Sequence, residues 1–152
     1  YIKGPKDNEC FLCRAFSESN DRDNLVVHRS AETVLILNRY PYSSGHLMVA
    51  PYRHISDVTD LRPSEQQDLM DLTARAIEAL RYLATPAGFN TGINIGKAAG
   101  AGLEEHLHQH IVPRWHGDTN FMPILANTRV MPQALDALWS DLTAYFGSEE
   151  EA

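Results

Sequence analysis

Residues 106–114 read His-Leu-His-Gln-His-Ile-Val-Pro-Arg, with histidine at positions 106, 108 and 110. Alternation of one residue type with apolar or neutral neighbours has the period of a β-strand, whose successive side chains point to opposite faces. The pattern therefore predicts a strand from about His106 to Arg114 that carries three imidazoles on one face. A neutral imidazole acts as a nucleophile, a proton shuttle or a metal ligand near neutral pH, so this strand predicts a chemical site.

The segments around this strand predict a mixed fold. Short β-rich runs predict further strands at 25–28, 33–37, 46–51 and 89–95. Apolar residues at spacings of three and four predict a helix from Pro63 to residue 84 and a second one that begins near Pro132. Because strands joined by short turns pair antiparallel, we expect an α+β fold with a curved, mainly antiparallel sheet of about five strands, one long helix and one C-terminal helix.

Composition limits the possible functions. The chain has 152 residues and a formal net charge of −7, which disfavours binding to a nucleic-acid backbone. Its apolar runs are too short to span a bilayer, and its first residues lack the apolar core of a signal peptide, so we expect a cytoplasmic protein without a membrane partner. We expect a single domain over residues 1–147, followed by an acidic disordered tail at 148–152.

The two cysteines, Cys10 and Cys13, are spaced C-x-x-C. This spacing is typical of half a zinc site or of a redox pair, and two inert buried thiols are a third interpretation. A redox pair usually opens a helix after a buried strand, and no strand is predicted before Cys10. The context therefore favours zinc.

The histidines themselves allow three interpretations. A packing role is disfavoured, because three desolvated imidazoles would each need a polar partner. A catalytic zinc site normally adds a carboxylate, and the adjacent Glu104 and Glu105 cannot both point towards it. The third interpretation makes His108 a nucleophile towards phosphorus, with a backbone carbonyl or His110 fixing its tautomer. The glycine-rich loop at 96–102 would then supply backbone N–H groups, with Lys97 nearby, to hold phosphate oxygens.

The motif is similar to the H-x-H-x-H signature of the histidine triad superfamily of nucleotide hydrolases and transferases. The likeness extends to the C-x-x-C pair, to residues 37–49 and to the Pro-Arg-Trp sequence at 113–115. It is nearest to the branch of diadenosine tetraphosphate phosphorylases and fragile histidine triad hydrolases. Gln109 departs from the family, which has an apolar residue there, but this position faces away from the histidines.

The resemblance implies roles for individual residues. His108 would be covalently nucleotidylated at the α-phosphate, while His106 and His110 position it and assist the leaving group. The residues that contact substrate would be Asn38, His46, Asn94, Gly102, Leu103 and Trp115. Structural interpretations remain open for four of them: Asn38 as a turn former, His46 as a solvent-facing residue, Trp115 as part of the core and Asn94 as a strand residue that needs a polar partner.

The resemblance also implies a structural zinc site formed by Cys10, Cys13, His54 and His106. A metal-bound His106 cannot donate a proton, so its role would be to fix the strand that carries His108. The implied function is nucleotidyl transfer that cleaves dinucleoside polyphosphates, by hydrolysis or with inorganic phosphate as the second substrate. The resemblance further implies a homodimer and no organic cofactor. The alternatives are a metal-dependent hydrolase and a non-catalytic nucleotide-binding regulatory module.

Overall fold

A computed structural model of the protein describes residues 10–118 and 132–151. These residues contain a five-stranded sheet whose strands pair antiparallel in the order β1-β2-β3-β5-β4. The strands are β1 (Val26–Arg29), β2 (Thr33–Leu37), β3 (Leu47–Pro51), β4 (Gly88–Ile93) and β5 (Gln109–Arg114). The predicted α+β fold with an antiparallel sheet of five strands is confirmed.

Among residues 10–118 and 132–151, four α-helices accompany the sheet, namely α1 (Phe11–Ser17), α2 (Asp21–Asn24), α3 (Pro63–Ala84) and α4 (Pro132–Glu150). The long helix α3 has the predicted bounds, with Pro63 in its first turn and the Glu65 carboxylate accepting the Arg62 backbone N–H at 2.9 Å. The sequence did not predict α1 and α2, because seven and four residues are too short to show a helical period.

Helix α3 packs against one face of the sheet through a row of buried apolar residues that includes Leu69, Leu72, Ala76 and Leu80. Gln109 lies on this face and its amide donates a hydrogen bond to the Thr73 hydroxyl at 2.8 Å. The predicted orientation of Gln109, away from the histidines, is thereby confirmed. The opposite side of the sheet carries Met48, His110 and Gly92, which are cross-strand neighbours.

The strand that carries the histidines is shorter than predicted. Pairing of β5 begins at Gln109 rather than at His106, so His106 and His108 precede the strand. The cause is Pro51 at the end of β3, which has no N–H to extend the ladder. Its carbonyl instead contacts the His106 Nε2 atom at 2.8 Å, and the Leu107 N–H donates to the Ile55 carbonyl at 2.6 Å.

The C-terminal helix is longer than predicted. It continues to Glu150, although residues 148–152 were expected to form a disordered tail. The Glu149 carboxylate lies 3.1 Å from the Arg75 guanidinium on α3, and this ion pair holds the acidic end against the protein. The extent of the domain over 1–147 stays a prediction, since it includes residues outside those described.

Membrane crossing requires a helix of about 20 mainly apolar residues. Within residues 10–118 and 132–151, no helix combines that length with that apolar character.

Candidate active site and candidate metal centre

His108 is held in one tautomer by the protein backbone. Its ring is almost entirely buried, and its Nδ1 atom lies 2.8 Å from the backbone carbonyl oxygen of His106. Because a carbonyl oxygen only accepts hydrogen bonds, Nδ1 carries the proton and donates it. The lone pair of His108 therefore resides on Nε2, which is the form of imidazole that can attack an electrophile.

A second hydrogen-bonded chain fixes the protons of His46 and His110. The Tyr42 backbone N–H donates to His46 Nδ1 at 3.2 Å, so the His46 proton is on Nε2. His46 Nε2 lies 2.8 Å from His110 Nδ1 and donates to it, which leaves the proton of His110 on its own Nε2. The His110 ring packs edge-on against His108, with centroids 4.9 Å apart. His108 thus has a proton donor beside it.

Burial keeps these supporting histidines neutral. It lowers the pKa of His46 to about 4, and the charges of His110 and His108 act in the same direction. Burial, followed by the neighbouring His108, also lowers the pKa of His110. The chain from His46 to His110 therefore orients protons at neutral pH without adding positive charge.

Substituting His46 with glutamine should make the free energy of unfolding fall less steeply as the pH decreases. An unfolded histidine has a pKa of about 6.5, so the unfolded chain binds this proton before folded His46 does as the pH falls. Compared with His46→Gln, the wild-type protein should lose about 2 kcal/mol between about pH 6.5 and about pH 5. Urea unfolding at several pH values measures the difference. Parallel profiles would contradict the depressed pKa, and His116→Gln, in an exposed turn, is the matched control.

The four predicted metal ligands come together at the start of the same segment. Cys10, Cys13, His54 and His106 offer ligand atoms that all lie within 4.8 Å of one another. The His106 Nδ1 atom is 3.3 Å from Cys10 Sγ, 3.4 Å from Cys13 Sγ and 3.3 Å from His54 Nδ1. Cys13 Sγ lies 3.2 Å from His54 Nδ1. Cys10 also caps α1, where its sulfur accepts the Cys13 backbone N–H at 3.5 Å.

These separations fit a tetrahedral zinc site. Bonds of about 2.3 Å to sulfur and about 2.0–2.1 Å to nitrogen place neighbouring ligand atoms about 3.3–3.8 Å apart. His106 Nε2 donates to the Pro51 carbonyl, which leaves the lone pair on Nδ1 directed at the cysteines. Four protein ligands leave no position for a water molecule, so this donor set is typical of a structural site rather than a catalytic one.

His106 links the candidate metal centre to His108. Its ring belongs to the cysteine cluster, while its backbone carbonyl accepts the proton that defines the tautomer of His108. The three histidines therefore have different surroundings, although they alternate regularly in sequence. The geometry assigns His106 to the metal centre and His108 and His110 to the candidate active site.

Two clefts flank His110 along the sheet. Cleft A, of about 300 Å³, lies over β2 and β3 and borders His110 through Met48, the cross-strand neighbour of that histidine. Its lining combines apolar and polar residues, which are Phe11, Arg14, Ala15, Asn24, Leu25, Ile36, Leu37, Asn38, Arg39, Tyr40 and Met48. Cleft B, of about 420 Å³, lies over β4 and β5 and is lined by Tyr42, Ser43, Asn90, Thr91, Gly92, Asn94, His110, Val112, Arg114 and Asp118. His110 lines cleft B, and its cross-strand neighbour Met48 lines cleft A.

The structure brings some of the predicted substrate residues to this site. Asn38 lines cleft A, and its side-chain oxygen also accepts the Tyr40 backbone N–H at 2.9 Å, so it forms the turn as well. Asn94 lines cleft B, and His46 is fully buried behind His110 rather than facing solvent.

The other predicted substrate residues lie elsewhere. Gly102, Leu103 and Trp115 line neither cleft. Leu103 packs against the core, and Trp115 is half-buried at the turn closed by the Arg114–Asp118 ion pair. Roles for these three residues remain predictions.

Three site residues were not found from the sequence. Tyr42 stacks on His46 with ring centroids 4.7 Å apart, and Asn90 and Gly92 line cleft B. The last two carried a usable signal, because Asn90, Gly92 and Asn94 alternate in sequence at the period of a strand, and Asn94 directly follows β4.

The fold and this arrangement of histidines define a family, because residues 19–117 match the HIT domain. The chain belongs to that family. A solved Zn-bound histidine triad family protein from Mycobacterium smegmatis superposes with a TM-score of 0.73 and 26% identity, covering 95% of this chain and 98% of the other.

Two curated relatives carry names that describe an activity. The AP-4-A phosphorylase of Mycobacterium tuberculosis is 47% identical over 116 residues, which are 76% of this chain and 60% of the relative. The asymmetrical bis(5'-nucleosyl)-tetraphosphatase of Schizosaccharomyces pombe is 31% identical over 93 residues, which are 61% of this chain and 50% of the relative. The chain thus spans about half to three fifths of the length of these two proteins.

Proposed function

We propose that the protein cleaves dinucleoside polyphosphates, such as diadenosine tetraphosphate, by transferring a nucleotidyl group to His108. The observation that carries this proposal is the hydrogen bond from His108 Nδ1 to the His106 carbonyl, which leaves Nε2 as the nucleophilic atom. The names of the two curated relatives describe enzymes that act on the same class of substrate.

The reaction would proceed in two displacements. His108 Nε2 attacks the α-phosphorus, a P–N bond forms, and the bond from that phosphorus to the bridging oxygen breaks. The proton on His110 Nε2 is available to the departing oxygen, since His46 holds the opposite nitrogen of that ring. Water or inorganic phosphate then attacks the same phosphorus and releases the nucleotide from His108. Water gives a nucleoside monophosphate, and phosphate gives a nucleoside diphosphate.

Inorganic phosphate should decide which products appear. With diadenosine tetraphosphate, we expect ATP and AMP in phosphate-free buffer, and ATP and ADP when phosphate is present, with a rate about tenfold higher or more. The similarity to a phosphorylase is the basis for expecting this acceleration. Chromatography of the products measures both rate and identity, and sulfate at equal ionic strength is the control. Two ADP molecules in phosphate-free buffer would contradict attack at the α-phosphorus.

We further propose that Cys10, Cys13, His54 and His106 hold a structural zinc ion. The distances in the cluster and the orientation of His106 support this assignment. When bound, the metal would cross-link α1 to the segment that precedes β5. The protein's own part in catalysis would then rest on His108 and His110, which lie outside the cluster.

The family resemblance also implies a substrate class, a localisation and an oligomeric state for this protein. The substrate would be a small nucleotide rather than a nucleic acid, in keeping with the net charge of −7. The protein would be a cytoplasmic homodimer. Strand β4 supports association, because it lies at the edge of the sheet, where its outer backbone groups are available for pairing.

A further inference from the structure

Gly92 lies within the edge strand β4, directly opposite His110 on β5. Its backbone does not need glycine, because its φ is outside the left-handed region. Packing does not need glycine either, since a Cβ atom at this position would meet no atom within 4 Å. Glycine inside a strand weakens the strand and often marks a place where a ligand approaches the backbone closely. The space above Gly92 is therefore a feature of the site.

That space belongs to cleft B, whose size is within the range of small-molecule sites. Its polar lining includes the amides of Asn90 and Asn94. Arg114 also contributes, but its guanidinium lies 2.8 Å from the Asp118 carboxylate and donates to Asn90 Oδ1 at 2.8 Å. Because this cation is already paired, it offers little to a phosphate chain. The cleft is suited to a neutral ligand that has both polar and aromatic parts.

Tyr42 provides an aromatic platform at the rim of cleft B. One face of its ring stacks on His46, at an interplanar angle of 30°. The side chain is nevertheless 71% exposed, so the other face is accessible. Any nucleobase can stack on such an aromatic face, because every base has a π-face of its own.

We infer that cleft B binds the second nucleoside of the substrate, the half that leaves when His108 attacks. This inference rests on the proposed function and adds to it the recognition of a second nucleoside. The first nucleoside would occupy cleft A on the other side of His110, and the phosphate chain would pass over the histidines. Because Gly92 has no side chain, the second nucleoside can approach the backbone of β4 in cleft B. Tyr42 stacks on the base of that nucleoside.

The test compares two ligands on an enzyme that cannot turn over. Diadenosine tetraphosphate and adenosine 5'-tetraphosphate share a phosphate chain, but only the first has a second nucleoside. In a His108→Ala background, calorimetry should show the first ligand binding about tenfold more tightly or better, which corresponds to about 1.4 kcal/mol. Adding Gly92→Val should abolish this preference, and Tyr42→Leu should reduce it.

Gly88→Val is the matched control. Gly88 is on the same strand, also has open space around a Cβ atom, and does not line cleft B. It should leave the preference intact, and thermal unfolding should show all variants folded. The inference is overturned if Gly92→Val preserves the preference, if it weakens both ligands equally, or if the parent shows no preference. Because binding is measured without turnover, failure of the proposed reaction in the wild-type enzyme is a separate result.

Discussion

Replacing His108 with alanine is expected to lower kcat/KM for diadenosine tetraphosphate by about 10⁴-fold or more, the order of loss seen when an enzyme loses its nucleophile. Neither His106 nor His110 can replace His108 as the nucleophile. The His106 ring faces the cysteines. The lone pair of His110 is on Nδ1, which already accepts a hydrogen bond from His46 Nε2. Steady-state kinetics with wild type and His108→Ala measures the loss.

The same variant should remain folded and keep the proposed zinc ion, because His108 supplies none of the four ligand atoms of the cysteine cluster. His116→Ala, at an exposed turn, is the control and should retain wild-type activity. An acid-labile nucleotidyl adduct, trapped by rapid quenching, should form in the wild-type protein and be missing from His108→Ala. An adduct that persists in the alanine variant would assign the nucleophile to another residue.

Replacing Cys10 with serine is expected to remove most of the bound zinc and to lower the free energy of unfolding by about 3 kcal/mol or more. Cys10 is buried, caps α1 and lies beside His106, so losing its thiolate opens the cluster and frees the start of the histidine segment. For a chain of this size the corresponding fall in melting temperature is about 6–12 °C. Metal analysis and thermal unfolding of the purified proteins measure both effects.

Glu105→Gln is the matched control for the zinc prediction. Its carboxylate lies 4.0 Å from His54 Nε2 but on the opposite side of that ring from the cluster, so zinc content should not change. Activity in Cys10→Ser should fall by about 10–100-fold through the loosened His106 carbonyl, without vanishing. If chelation removed the activity, zinc restored it and the protein stayed folded throughout, the metal-dependent hydrolase would be the better account.

Local patterns were sufficient to predict much of the fold. Helix α3 repeats its apolar residues over six turns and has proline in its first turn, so both its position and its bounds were predictable. Helix α1 was not predictable, because its seven residues are too short to show a helical period and because the C-x-x-C spacing of its capping residue Cys10 indicates a metal site. The late start of β5 depends on Pro51, a residue 58 positions away from Gln109 that only the paired sheet brings opposite the histidine segment.

The histidines of the candidate site were predictable from one sequence motif. Cleft B was not, because it depends on the register of strand pairing. The family resemblance implied the roles proposed for His106 and His108, and it implied the cluster of Cys10, Cys13, His54 and His106 that the structure brings together. Cleft B depends on the pairing of Gly92 with His110, and a shift of one residue would have turned that position to the other face. The alternation of Gly92 with Asn94 places the two residues on one face, but only the register of the whole sheet places that face beside His110.

The stereochemical course at the α-phosphorus tests the covalent mechanism most directly. Substrate that is chiral by isotopic labelling at that phosphorus reports the number of displacements, whether or not an intermediate accumulates. Two in-line displacements, first by His108 and then by water or phosphate, predict overall retention of configuration. Inversion would mean a single displacement by water or phosphate, and it would contradict nucleotidyl transfer to His108.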